Sequence, residues 1–262
     1  MSLVKLSNGS FHAGNLILVN QSYSCQNNTE RSLVPVIDQN ESVLLNRAAV
    51  VLLSSLMEKI HGWKNIVPVS GWRPVQEQQK IWDDTMAESG EEFTKKFVAV
   101  PGHSEHQTGL AIDLALESKQ IDFICPDFPY TGICQIFRRK ATSYGFIERY
   151  PSGKEAITGI GHEPWHFRYV GVPHADIMDE LNMTLEEYIP FLKKYPYGQL
   201  PFRYKKNGIV VDISYLPADF AGETKIDINT ELPYSISGNN VDGFIITEWR
   251  NADDGQKRLQ RA

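Results

Sequence analysis

The chain has 262 residues, 42% of them hydrophobic, and a formal net charge of −6. That apolar fraction is enough to build a core and excludes an intrinsically disordered chain. The acidic balance, spread without blocks of like charge, argues against a nucleic-acid partner, and no apolar run is long enough for a membrane span.

Val4 to Asn20 is interrupted by Ser7, Asn8, Gly9, Ser10 and His12, so it lacks the apolar centre of a secretion signal. Asn40 to His61 is expected as the first long helix. Its apolar residues Val43, Leu44, Ala48, Leu52, Leu56 and Ile60 recur close to the helical period, and Gly62 can close it. Asn65 to Val69 reads as a strand, and Pro74 opens a helix reaching about Glu88. Gly90 to Pro101 is expected as a helical or looped lid, and Leu110 to Leu116 as a buried strand.

A helix from Gly132 to Tyr144 is stopped by Gly145 and followed by a strand, Phe146 to Arg149. Trp165 to Val170 alternates as a strand, with Trp165, Phe167 and Tyr169 on a core face and His166 and Arg168 on the other. Glu163 has the wrong parity to join His166, and a bend at Pro164 is expected to correct this. Helices follow at Pro173 to Leu181 and Thr184 to Tyr195. Residues 1–198 are read as one domain. After them, Phe202 to Val211 turning at Asn207-Gly208, and Tyr234 to Trp249 with Gly238-Asn239-Asn240 at its middle, read as hairpins of a small β appendage over 199–262, whose last residues from 252 form a frayed tail.

Cys25, Cys125 and Cys134 are odd in number and lack C-x-x-C spacing. Reduced thiols in the cytoplasm are the expected state, with one Cys125–Cys134 bridge as the alternative.

Asp113 is the anomalous residue, a carboxylate inside Leu110-Ala111-Ile112-Asp113-Leu114-Ala115-Leu116. An ionised carboxylate buried there is costly without a partner. A single Zn²⁺ ion is a natural one, and a catalytic zinc takes three protein ligands and keeps one position open. His106, Asp113 and His166 can supply the three, leaving Glu163 as the base for a water molecule.

Ser104-Glu105-His106-Gln107-Thr108-Gly109-Leu110-Ala111-Ile112-Asp113, answered by Glu163-Pro164-Trp165-His166, resembles the zinc D,D-peptidases of the vancomycin-resistance type. Ser70-Gly71-Trp72-Arg73 is similar to that family's Ser-Gly-Tyr-Arg element, with Trp72 replacing the tyrosine. Leu16 to Asn20 resembles the family's N-terminal strand. Arg149-Tyr150-Pro151 and Phe167-Arg168-Tyr169-Val170-Gly171 extend the likeness, which spans roughly residues 14 to 195.

The resemblance implies an α+β, hedgehog-like zinc D,D-peptidase fold, a central antiparallel sheet flanked by helices. It also implies hydrolysis of D-Ala-D-Ala, as free dipeptide or at the end of peptidoglycan precursors, in glycopeptide resistance. It assigns Arg73 to the tetrahedral intermediate and Ser104 to the substrate's terminal carboxylate. Gln76, on the helix after Arg73, is added as a substrate contact. An L-alanyl-D-glutamate endopeptidase of the phage-lysin kind and a non-catalytic zinc-binding module stand as alternatives; Glu163 and Arg73 argue against the second.

Overall fold

The computed structural model describes residues 2–26, 32–37 and 40–250. In chain order its elements are β1 (Ser2–Leu6), β2 (Leu33–Ile37), β3 (Asn40–Asn46), α1 (Arg47–Lys59), β4 (Ile66–Ser70), α2 (Val75–Phe97), β5 (Ala111–Leu116) and α3 (Gly132–Ala141). They continue with β6 (Phe146–Tyr150), α4 (Glu155–Thr158), β7 (Glu163–Tyr169), α5 (His174–Glu180), α6 (Leu185–Leu192), β8 (Phe202–Lys206), β9 (Ile209–Pro217), β10 (Thr224–Ile228), β11 (Tyr234–Gly238) and β12 (Gly243–Arg250). The class is α+β, as expected.

The chain divides into two compact units, 19–186 and 1–18 with 187–262. This differs from the expected boundary after residue 198. The N-terminal strand β1 pairs antiparallel with β10, a long-range partnership that no local pattern announces. In that unit β11-β12-β9-β8 form a second sheet, with both expected hairpins present. Its core is Ile226, Ile228, Phe244 and Ile246, against which Val4, Leu6 and Phe11 pack. The expected tail from 252 lies outside the described residues.

In the unit 19–186 the sheet order is β4-β5-β7-β6, all antiparallel. Strand β5 carries Ile112 and Leu114 on one face and Ala111, Asp113 and Ala115 on the other. Both faces are covered, and the small alanines leave room around Asp113. Register sets Ser70 opposite Asp113, and Asp113 opposite His166.

The pairing of β6 with β7 shifts between Glu148 and Tyr150, so that Tyr150 meets Glu163 while Glu148 meets Phe167. Residues 164–166 thus stand opposite Arg149 alone, an irregularity inside β7 at Pro164 rather than a bend ahead of the strand, and Glu163 Oε2 comes within 3.7 Å of His166 Nδ1.

Three further expectations are corrected. Residues 40–46 form β3, paired with β2, and the helix begins only at Arg47. Asn46 caps it, its side-chain oxygen accepting from the Ala48 N–H at 3.0 Å. Val43 and Leu45 are buried on alternate positions, a period of two that was masked by the longer apolar run. Helix α2 runs on to Phe97 across a break at Gly90 (φ 81°, ψ 173°) instead of ending near Glu88. Leu16 to Asn20 is irregular chain with one isolated bridge, Asn20 to Tyr23, although Leu16 to Val19 are buried.

Candidate active site

His106 stands in a single 3-10 turn, Glu105–Thr108, capped by Ser104 and closed by Gly109 in the left-handed region (φ 67°). Its Nδ1 lies 2.7 Å from the Gly71 carbonyl, which turns Nε2 toward Asp113 Oδ2 at 3.1 Å. Gly71 cannot bear a side chain, since a Cβ there would meet the Leu44 carbonyl oxygen at 2.3 Å. Across the sheet, His166 Nδ1 lies 3.0 Å from Asp113 Oδ1. Ligand atoms of His106, Asp113 and His166 all fall within 4.8 Å of one another.

These three residues are at most 6% exposed. Asp113 Oδ1 makes no hydrogen bond despite its 3.0 Å approach to the imidazole. Lone pairs brought together without hydrogen-bond alignment, from two imidazoles and one carboxylate, suit a divalent cation. Burial acts to raise the Asp113 carboxyl, but the His106 and His166 imidazoles outweigh it and hold it well below the usual carboxylate range.

Glu163 and Arg73 face the same cleft, a small cavity of about 50 Å³ lined also by Ser104, Phe123, Tyr150 and Trp165. Glu163 Oε2 is 3.7 Å from His166 Nδ1. Burial pushes its carboxyl up to about 8; Asp113 and Glu105 add to this, while His166 and Arg73 oppose it. Arg73 donates from Nη2 to Ser70 Oγ (3.0 Å) and from Nη1 to Gln78 Oε1 (3.1 Å), with Nη2 4.0 Å from Asp113. Its Nε is buried and has no hydrogen-bond partner.

A family model described as VanY, D-alanyl-D-alanine carboxypeptidase, matches residues 43–172. The bifunctional D-Ala-D-Ala dipeptidase and D-Ala-D-Ala carboxypeptidase VanXYC of Enterococcus gallinarum is 48% identical over 130 residues, 49% of this chain and 68% of the relative. The chain belongs to the VanY family of D-alanyl-D-alanine carboxypeptidases.

The solved structure of the vancomycin resistance D,D-dipeptidase VanXYg, in complex with a D-Ala-D-Ala phosphinate analog, matches with a TM-score of 0.92 at 48% identity, covering 95% of this chain and 99% of that one. A glutamate-to-alanine mutant of the D,D-pentapeptidase VanY from a VanB-type cassette, in complex with Zn(II), matches with a TM-score of 0.54 at 30% identity, over 67% of this chain and 98% of that one. This VanY-family chain is therefore a peptidase with the fold expected of it.

Within the VanY-type site, Ser104 is buried and lines the cleft, its oxygen accepting from the His106 N–H at 3.4 Å. Ser104 itself has extended backbone angles (φ −93°, ψ 134°) and caps the turn that begins at Glu105. Gln76 does not reach the cleft; it is exposed on the first turn of α2. Gln78, two residues on, faces inward and links Arg73 to the Ala99 carbonyl (2.7 Å). A helix beginning at Val75 turns position 78, and not 76, toward the sheet.

His103 contacts the Asn20 carbonyl (2.7 Å) and His162 the Tyr130 hydroxyl (2.7 Å), so both lie outside the ligand set. Trp165 lines the cleft beside Phe97, whereas Phe167 packs against Phe128 and Phe137 in the core.

Sequence reading assigned no role to Glu105, although it lies between Ser104 and His106. Its Oε1 accepts from Arg149 Nε (2.8 Å) and Arg168 Nη1 (2.6 Å). Burial raises this carboxyl, but the two guanidiniums outweigh it and keep it far below the usual range. The available signal was parity, since Arg168 shares the strand face of His166.

Proposed function

We propose that this chain is a zinc D,D-peptidase that hydrolyses D-Ala-D-Ala, both as the free dipeptide and at the C-terminus of peptidoglycan precursors, in glycopeptide resistance. The observation that carries the reading is the buried His106–Asp113–His166 donor set, with Glu163 and Arg73 on the same cleft. The relatives named as D-Ala-D-Ala peptidases, and the one in complex with Zn(II), support the substrate and the metal. Three free thiols suit a cytoplasmic enzyme, and among the described residues no helix is long and apolar enough to cross a membrane.

Zinc, when bound, lowers the pKa of its water toward neutrality and polarises the scissile carbonyl. Glu163 accepts the proton of the attacking water and passes it to the leaving amine. The Arg73 guanidinium, held by Ser70 and Gln78, meets the charge that develops on the carbonyl oxygen. The Ser104 hydroxyl accepts from the His106 N–H and so has its proton to donate to the terminal carboxylate of the substrate.

The Ser104 role separates exopeptidase from endopeptidase. The enzyme is expected to prefer a free C-terminal acid over the amidated peptide, by the roughly 1.5–3 kcal/mol of a hydrogen bond to a charged group, about 10- to 150-fold in kcat/KM. Ser104→Ala should lose most of that preference. Equal cleavage of free and blocked peptides by the parent would remove the carboxypeptidase reading and favour an endopeptidase.

A further inference from the structure

Glu105 Oε2 faces His166 Nε2 across 3.5 Å, the outer limit of hydrogen-bond reach. Both atoms are buried away from solvent, and neither has any other hydrogen-bond partner. Each is thus the polar group that can serve the other. We propose that Glu105 is the positioning residue of this centre, fixing the His166 ring so that Nδ1 is presented to the metal. The inference rests on the metallopeptidase reading above.

The geometry around Glu105 leaves it little freedom. Oε1 is occupied by Arg149 and Arg168, and Arg149 is held in turn by both oxygens of Glu186, at 2.9 and 2.6 Å. Arg149, Arg168 and the Glu105 side chain are all essentially inaccessible. Such a buried charge cluster is a poor source of net stability, because desolvation offsets the attraction. Its physical effect is to lock one carboxylate in one orientation.

A carboxylate on the far nitrogen of a ligand imidazole fixes its tautomer and raises its basicity. His106 is served in the same sense by the Gly71 carbonyl, so each ligand ring is oriented from behind, one by a dipole and one by a charge.

The test compares zinc affinity, by competition with a chelator, in the parent, Glu105→Gln and Glu186→Gln. Each variant removes one carboxylate charge from Arg149, so each is expected to lower Tm. Only Glu105→Gln also changes what His166 faces, because its amide oxygen stays with the arginines and its NH₂ meets Nε2. Its zinc affinity should fall ~10–100-fold, as for loss of other outer partners of metal ligands, while Glu186→Gln stays near the parent.

Parent-like affinity in Glu105→Gln, or equal losses in both variants, would overturn the proposal. A parent that binds no zinc would overturn the metallopeptidase reading itself, a distinct result. Should Glu105→Gln fail to fold, the ¹⁵N histidine spectrum of the zinc-loaded parent decides. A His166 proton on Nε2 is expected, and a proton on Nδ1 would overturn the assignment.

Discussion

Glu163→Ala is expected to lower kcat by ~10²–10⁴-fold, the usual contribution of a general acid–base group, with zinc content unchanged. Glu163 is buried on the cleft and is not one of the three converging donors, since its Oε2 stands 3.7 Å from the nitrogen that His166 turns toward Asp113. Removing it therefore deletes a proton carrier and leaves the ligand set whole. Burial has pushed its carboxyl up to about 8. A divalent charge beside it acts in the opposite direction and favours the ionised base. Metal analysis and steady-state kinetics on the same preparation check both halves. Near-normal kcat would end the assignment of Glu163 as the base, and loss of zinc would make it a ligand.

His106→Ala and His166→Ala are expected to lose zinc and activity together. Each removes one of three donors from a site at most 6% exposed, where solvent is a poor substitute. The loss in affinity should exceed the ~10–100-fold that removal of an outer partner costs. The two variants leave different remnants. Without His106, the Gly71 carbonyl loses a buried donor; without His166, Glu105 Oε2 loses the nitrogen it faces. Both are therefore expected to lower Tm as well, by the penalty of an unsatisfied buried group, ~1–3 kcal/mol. Zinc content equal to the parent in both variants would refute the donor set.

Much of this site was legible in the sequence because burial makes an unusual demand. A carboxylate within an apolar strand asks for a compensating charge, and the histidines at its flanks supply the geometry for one. Strand parity correctly placed His166 and Arg168 on one face of β7. What it could not supply was the irregular pairing that sets residues 164–166 opposite Arg149 alone, because such a register shift depends on the partner strand.

The expectation for Gln76, which is exposed, failed for a related reason. Only the start of α2 at Val75 decides which of the nearby glutamines turns inward, and Gln78 does. The β3 segment was lost to an apolar run that satisfies both periods until Asn46 is recognised as a cap. Glu105, Arg149 and Arg168 come together from three separate elements, so their network is a property of the fold and not of any motif. The same is true of β1, whose partner β10 lies some two hundred residues away in the chain.

Release of D-alanine from D-Ala-D-Ala by the zinc-loaded protein, with a chelator-treated sample beside it, tests the central claim most directly. The zinc D,D-peptidase reading predicts turnover of the dipeptide that disappears on metal removal and returns when zinc is restored. Absence of D-alanine release from both the dipeptide and a pentapeptide ending in D-Ala-D-Ala, in protein shown to carry zinc, would contradict it.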